Sequence, residues 1–223
     1  MKPRINTVPA DNQSKHADVI RFLGKEDAPH KILVLGNSIT RHGPSAEIDW
    51  HFDWGMAASA PERDYVHRLY AMLTEYGKEP FMMIRQASHW ERNFQNPACL
   101  AEYERERAFG ADIVVFRLGE NVGKKDFPAL KDAALTLVDY VAPVGAFVIF
   151  TTGFWKNAER DEALRCAAET RGSPCVDIAC TNDDMMALGL FTHPGVSIHP
   201  GDKGMEMIAR KLFETMVAEY FER

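Results

Sequence analysis

Three short segments of this sequence carry residue types that can attack a carbonyl, take up a proton and hold a negative charge. The first is Gly36-Asn37-Ser38-Ile39-Thr40, directly after the apolar run Lys31–Leu35. A glycine there lets the chain turn sharply and lift the Ser38 hydroxyl onto the rim of the fold, a setting for a nucleophile. A serine at that place equally suits the N-cap of the next segment. The second is Gly119-Glu120-Asn121, after the run Ile113–Arg117. Asn121 reads either as a turn residue or as an amide N–H donor aimed at a developing oxyanion. The third is His193-Pro194-Gly195-Val196-Ser197-Ile198-His199-Pro200-Gly201-Asp202. A neutral imidazole at His199 is the side chain best matched to taking a serine proton near neutral pH, with a solvated loop histidine as the plain alternative.

These segments need a scaffold that brings them together, and the periodicity supplies one. Lys31–Leu35, Phe81–Arg85, Ile113–Arg117 and Phe147–Thr151 are near-continuous apolar runs of strand length, and Pro174–Ile178 is a weaker fifth. Such runs suit parallel strands covered on both faces. Helical patterns fill the gaps. Ser59 with Glu62 reads as a capping box with Pro61 in the first turn, opening a helix to about Tyr76 that Gly77 ends. Further helices are expected over Pro97–Phe109, Pro128–Val141, Asn157–Arg171 and Gly201–Phe221. Alternating strands and helices predict a three-layer α/β/α domain with a five-stranded parallel sheet over residues 29–223, preceded by an irregular arm over residues 1–28. Ligands of such sheets bind beyond the carboxyl ends of the strands, where all three segments fall.

Taken together, the three segments resemble the SGNH (GDSL-type) hydrolases, whose flavodoxin-like sheet is the one expected here. The first matches that family's G-D-S block with Asn37 in place of aspartate, the second its G-x-N block. The third matches its H-P-x-D-x-G-M ending as His199-Pro200-Gly201-Asp202-Lys203-Gly204-Met205, and the resemblance runs from Lys31 to the C-terminus. It implies a serine esterase with Ser38 as nucleophile and His199 as general base. The implied oxyanion hole is the Ser38 N–H, the Asn121 amide and the N–H of Gly55 in Trp54-Gly55-Met56-Ala57-Ala58-Ser59. No metal or organic cofactor is implied. One departure stands out: the family's aspartate three residues before the histidine is Val196 here. The His199 Nδ1–H must then find another acceptor, and a main-chain carbonyl of residues 193–197 is favoured over Ser197 or an acid such as Asp183 or Asp184.

The four tryptophans, Trp50, Trp54, Trp90 and Trp155, all follow strands on the ligand side, as does Arg117. They suggest stacking surfaces for an acylated sugar, with Arg117 a candidate for an anionic group or for pairing with Glu120. Burial as structural residues is expected for about half of the tryptophans. The family resemblance, with modest support from the tryptophans, implies a small acyl ester of a carbohydrate as substrate. The alternative is a glycan-binding module that keeps the cleft without turnover; a metal-dependent hydrolase using His193, His199 and Asp202 fits no metal-ligand spacing. With 26 Lys+Arg against 32 Asp+Glu, the formal charge of −6 argues against a nucleic-acid binder. The four cysteines contain no C-x-x-C pair and read as reduced thiols. The first twenty residues lack a continuous apolar run, and Val141–Phe150 is too short to span a bilayer, so a cytoplasmic protein with no membrane association is expected. Oligomeric state leaves no mark in the sequence.

Overall fold

The computed structural model describes residues 19–222; residues 1–18 of the expected arm, and Arg223, lie outside that range. Its strands are β1 (Ile20–Leu23), β2 (His30–Gly36), β3 (Pro80–Gln86), β4 (Ile113–Arg117), β5 (Phe147–Thr151) and β6 (Cys175–Val176). They form one sheet in the order β1-β3-β2-β4-β5-β6. All neighbours from β3 to β6 pair in parallel, and β1 adds to β3 antiparallel. The five expected parallel strands are therefore present, but the sheet has six strands and is mixed. The extra strand lies in the stretch read as irregular arm. Only four residues long, it shows too little alternation to stand out, and it is held by Phe22 stacking on Phe81 and by Arg21 bonding Asp53.

Among the described residues seven α-helices accompany the sheet: α1 (Tyr65–Glu75), α2 (Ser88–Asn93), α3 (Glu104–Phe109), α4 (Phe127–Val141), α5 (Ala158–Arg171), α6 (Pro194–Ser197) and α7 (Asp202–Met216). Successive strand residues face opposite sides, so each strand feeds two cores. Ile32 and Val34 pack with Leu69 and Leu73 of α1 and with Ile208 and Leu212 of α7. Leu33 and Leu35 pack with Leu130 and Leu137 of α4 and Leu164 of α5. Among the described residues no helix is long and apolar enough to cross a membrane.

Several helix starts differ from the sequence pattern. Asp64, not Ser59, caps α1, accepting from the His67 N–H, after a short 3-10 turn over Pro61–Arg63. Ser59 instead donates from its N–H and hydroxyl to Asp202 at the start of α7. The expected helix Pro97–Phe109 splits into a 3-10 helix over Pro97–Tyr103 and α3.

β2 is the element that matters most for function. Its partners are β3 on one side and β4 on the other: the chain runs from β2 to β3 on one side and then crosses back to β4 on the other, so a crevice opens beyond the carboxyl end of β2. Gly36 ends β2 because nothing larger fits: a Cβ there would lie 1.7 Å from Thr40 Oγ1.

Candidate active site

The turn after β2 is organised by Asn37, not by Ser38. The Asn37 carbonyl accepts from the Thr40 and Arg41 N–H groups at 2.9 and 3.0 Å, and its Oδ1 accepts from the Ile39 N–H at 3.3 Å. The capping duty that a serine could have had is already filled, which frees the Ser38 hydroxyl. That hydroxyl points at His199, with Oγ 2.8 Å from Nε2.

His199 follows α6, a single turn capped by His193, whose Nδ1 accepts from the Gly195 N–H. Its Nδ1–H donates to the Gly195 carbonyl at 2.7 Å. A carbonyl can only accept, so the ring proton is fixed on Nδ1 and Nε2 is left to accept from Ser38. Trp155 completes the support: its indole N–H donates to the Ile198 carbonyl at 3.1 Å and its ring meets the His199 ring edge-on at 5.2 Å. Burial pushes the imidazolium form down to a pKa of about 4, more than the Gly195 carbonyl raises it. His199 is therefore neutral, and able to accept a proton, across the physiological range.

Opposite the imidazole stands Asn121. Its Nδ2 donates to Glu91 Oε2 at 2.6 Å and its Oδ1 accepts from Arg92 at 3.0 Å. A carboxylate takes only a donor and a guanidinium only an acceptor, so these partners set which end of the amide is which. The second Nδ2 hydrogen remains for the cleft. Glu91 also accepts from the Gly119 N–H at 2.6 Å, the Asn121 N–H at 3.3 Å and Asn37 Nδ2 at 3.1 Å. Gly119 approaches at φ +133°, a backbone conformation that favours glycine.

Beneath this lies a charged cluster. Asn37 Nδ2 donates to Glu120 Oε2 at 2.7 Å, while Asn37 Oδ1 accepts from Arg117 at 2.6 Å, and Arg117 also pairs with Glu120. Burial, then the nearby Glu120 charge, raises the Glu91 carboxyl. Burial would raise Glu120 as well, but Arg117 and Arg160 hold it below its ordinary range.

Ser38, His199 and Asn121 thus meet in one cleft of about 250 Å³, with His42, Met56, Gln86, Ser88, Arg92 and His193 also on its walls. Other sequence candidates fall elsewhere. The Gly55 N–H is committed to Asp64 at 3.1 Å, so it is no oxyanion donor, and the glycine is required by packing: a Cβ would lie 2.6 Å from the Ile39 carbonyl. Trp50 is wholly buried, donating to the His42 carbonyl within a small apolar cluster. Trp90 is buried against Phe116. Trp54 stacks on Phe52 and borders a separate hollow. Arg117 is fully buried in its ion pair, so it cannot meet a substrate. Trp155 serves His199 rather than the cleft. His193, His199 and Asp202 bond to different partners, and they form no metal-binding group among the described residues. Glu91 and Arg92 belong to no motif; the available signal is an acid five residues after the end of β3, beside Trp90.

No protein-family model and no curated protein matches the sequence. Solved structures do match the fold. A candidate GDSL-like lipase from Parabacteroides merdae superposes with a TM-score of 0.57 at 15% identity, covering 86% of this chain and 97% of its own. The psychrotrophic esterase EstA from Pseudoalteromonas sp. gives 0.52 at 13% identity, over 87% of this chain and 100% of its own. A family two carbohydrate esterase from Cellvibrio japonicus gives 0.51 at 15% identity, over 86% of this chain and 61% of its own. The chain has the fold of the GDSL-like, or SGNH, hydrolases.

Proposed function

We propose that this chain is a serine ester hydrolase in which Ser38 forms an acyl-enzyme and His199 is the general base. The observation that carries the proposal is the 2.8 Å contact between Ser38 Oγ and His199 Nε2, with the opposite ring nitrogen fixed by the Gly195 carbonyl. As Ser38 attacks the ester carbonyl, its proton passes to Nε2. The carbonyl oxygen becomes an oxyanion between the Ser38 N–H and Asn121, and each such donor contributes about 3 kcal/mol to the transition state. His199 then gives the proton to the leaving alcohol, and water, activated by the same imidazole, releases the acid and restores Ser38. Among the described residues the N–H groups of Ser38 and Ala57 make no hydrogen bond. Ala57 sits at φ +73° one residue after Met56, whose N–H donates to the Ser38 carbonyl, and this makes Ala57 the replacement for Gly55 as second backbone donor.

The substrate we infer is a small acyl ester of a polyhydroxylated alcohol such as a sugar. The support is the cleft's modest volume and the polar residues Gln86, Ser88, Arg92 and His193 on its walls beside Ile48 and Met56, which offer hydrogen bonds but no channel for a long chain. Trp50 and Trp90 are buried and offer no stacking face to the cleft. Hydrolysis of an aryl acetate, compared with acetylated sugars, tests the proposal. Wild type turns over and is labelled on Ser38 by an organophosphonate, whereas Ser38→Ala loses at least about 10³-fold in kcat. Equal activity in Ser38→Ala, or an unlabelled serine in folded wild type, overturns it.

A further inference from the structure

On the far side of α2 lies a cluster that the proposed reaction does not use. His89, Cys99 and Glu102 each present one ligand atom, and these atoms all lie within 4.8 Å of one another. His89 Nδ1 is 3.3 Å from Glu102 Oε2. Cys99 and Glu102 share the 3-10 helix Pro97–Tyr103, and with three residues per turn positions i and i+3 eclipse, so the thiol and carboxylate stand on one edge. α2 then brings His89 to that edge. The sequence offers no spacing signature for this arrangement, because it depends on the helix being 3-10.

We propose that His89, Cys99 and Glu102 bind a zinc-type divalent cation. The donor set is one nitrogen, one sulfur and one oxygen, which suits zinc and not the all-oxygen preference of calcium or magnesium. Ligands at 2.0–2.3 Å around a tetrahedral ion lie about 3.3–3.7 Å apart, so side-chain rotations of roughly 1 Å close the site. The charges balance: a carboxylate and a thiolate together neutralise a dication. The Cys99 S–H donates to the Asn93 carbonyl at 3.2 Å, a bond the ion must displace: the S–H bond breaks, sulfur keeps the electron pair, and the proton leaves to solvent. His89, with a side chain 59% exposed, gives the ion its route in and leaves the fourth position to water. Arg85, at 3.9 Å from Glu102, also opposes the cation, but it faces Glu106 as well and lies over the Tyr103 ring. A bound ion would fasten α2, which carries Glu91 and Arg92, to the neighbouring 3-10 helix.

The proposal does not depend on esterase activity, and neither does its test. Cobalt(II) is titrated into the reduced, untagged chain while the near-ultraviolet thiolate-to-cobalt absorption is followed, and zinc is then added in competition. One equivalent of cobalt should give the band and one of zinc should abolish it, with affinity falling at least about tenfold in both His89→Ala and Cys99→Ser. His89 is exposed on a short helix, so His89→Ala keeps the test valid if the buried Cys99→Ser fails to fold. No band in folded wild type, or affinity within about twofold of wild type in His89→Ala, overturns the site.

Discussion

The two groups that flank Ser38 are held in opposite ways. His199 rests on one main-chain carbonyl, a tryptophan edge and a buried setting without a charge of its own. Asn121 rests on a buried ionic cluster in which Glu91 alone accepts four hydrogen bonds from two segments of chain. A carbonyl orients an imidazole but cannot stabilise its cation as a carboxylate does. On the other side, charges fix the Asn121 amide, the proposed oxyanion donor, before any substrate arrives, so that little reorganisation is needed there. The fixed charge lies behind Asn121 rather than behind His199, the proposed base.

Asn37 is where that arrangement breaks most readily. Its amide nitrogen donates to both Glu91 and Glu120, at 3.1 and 2.7 Å. Asn37→Asp would turn both contacts into carboxylate–carboxylate encounters in a buried place, at a cost of about 4 kcal/mol in stability, read from denaturant unfolding. Adding Glu91→Gln returns a donor to the pair and should recover roughly 2 kcal/mol, a coupling that independent sites would not show. In the Glu91→Gln single variant, kcat on an aryl acetate should fall about tenfold with KM little changed, because Asn121 loses its charged anchor but the cleft keeps its shape.

The histidine side breaks differently. Val196 occupies the position of the family's aspartate, but it is not an empty slot: it is 1% exposed and packs in the cluster of Trp50, Met56, Ala57 and Ala187. Val196→Asp places an acid among apolar groups, and His199 Nδ1 is already engaged elsewhere. Stability should fall by about 3 kcal/mol and activity should not rise. A gain in kcat would show that the carbonyl is a weaker substitute for a carboxylate than the geometry implies.

This contrast also explains what the sequence could reveal. Ser38, Asn121 and His199 follow apolar strands or precede a strongly patterned helix, and a main-chain carbonyl is the favoured partner of His199 because the Val196 side chain has no acceptor and a carbonyl needs no special residue. What depends on long-range packing was illegible. Trp50 and Trp90 lie in the segments that follow β2 and β3 but turn inward, since large apolar rings gain more from burial than from the rim. Gly55 lies in the right loop, yet its N–H is claimed by Asp64 from nine residues away. Glu91 acquires its role only when α2 packs beside Gly119. β1 was too short to alternate visibly, and its existence depends on β3 offering an open edge.

The mildest test of the comparison is the pH profile. A base buried without a charged partner titrates low, and His199 does so at about 4, against an ordinary value of 6.5. Activity should therefore persist below pH 6 and decline with an acid limb near 4 to 5, where Nε2 becomes protonated and can no longer accept from Ser38. Stability follows the same sign. Between those two pKa values the unfolded chain binds the proton that the folded chain excludes, so the His199 contribution weakens as pH falls from 6.5 toward 4 and is level above that window. An acid limb at or above 6.5 would mean that His199 gains a carboxylate partner in the working enzyme, and the two flanks of Ser38 would then be alike.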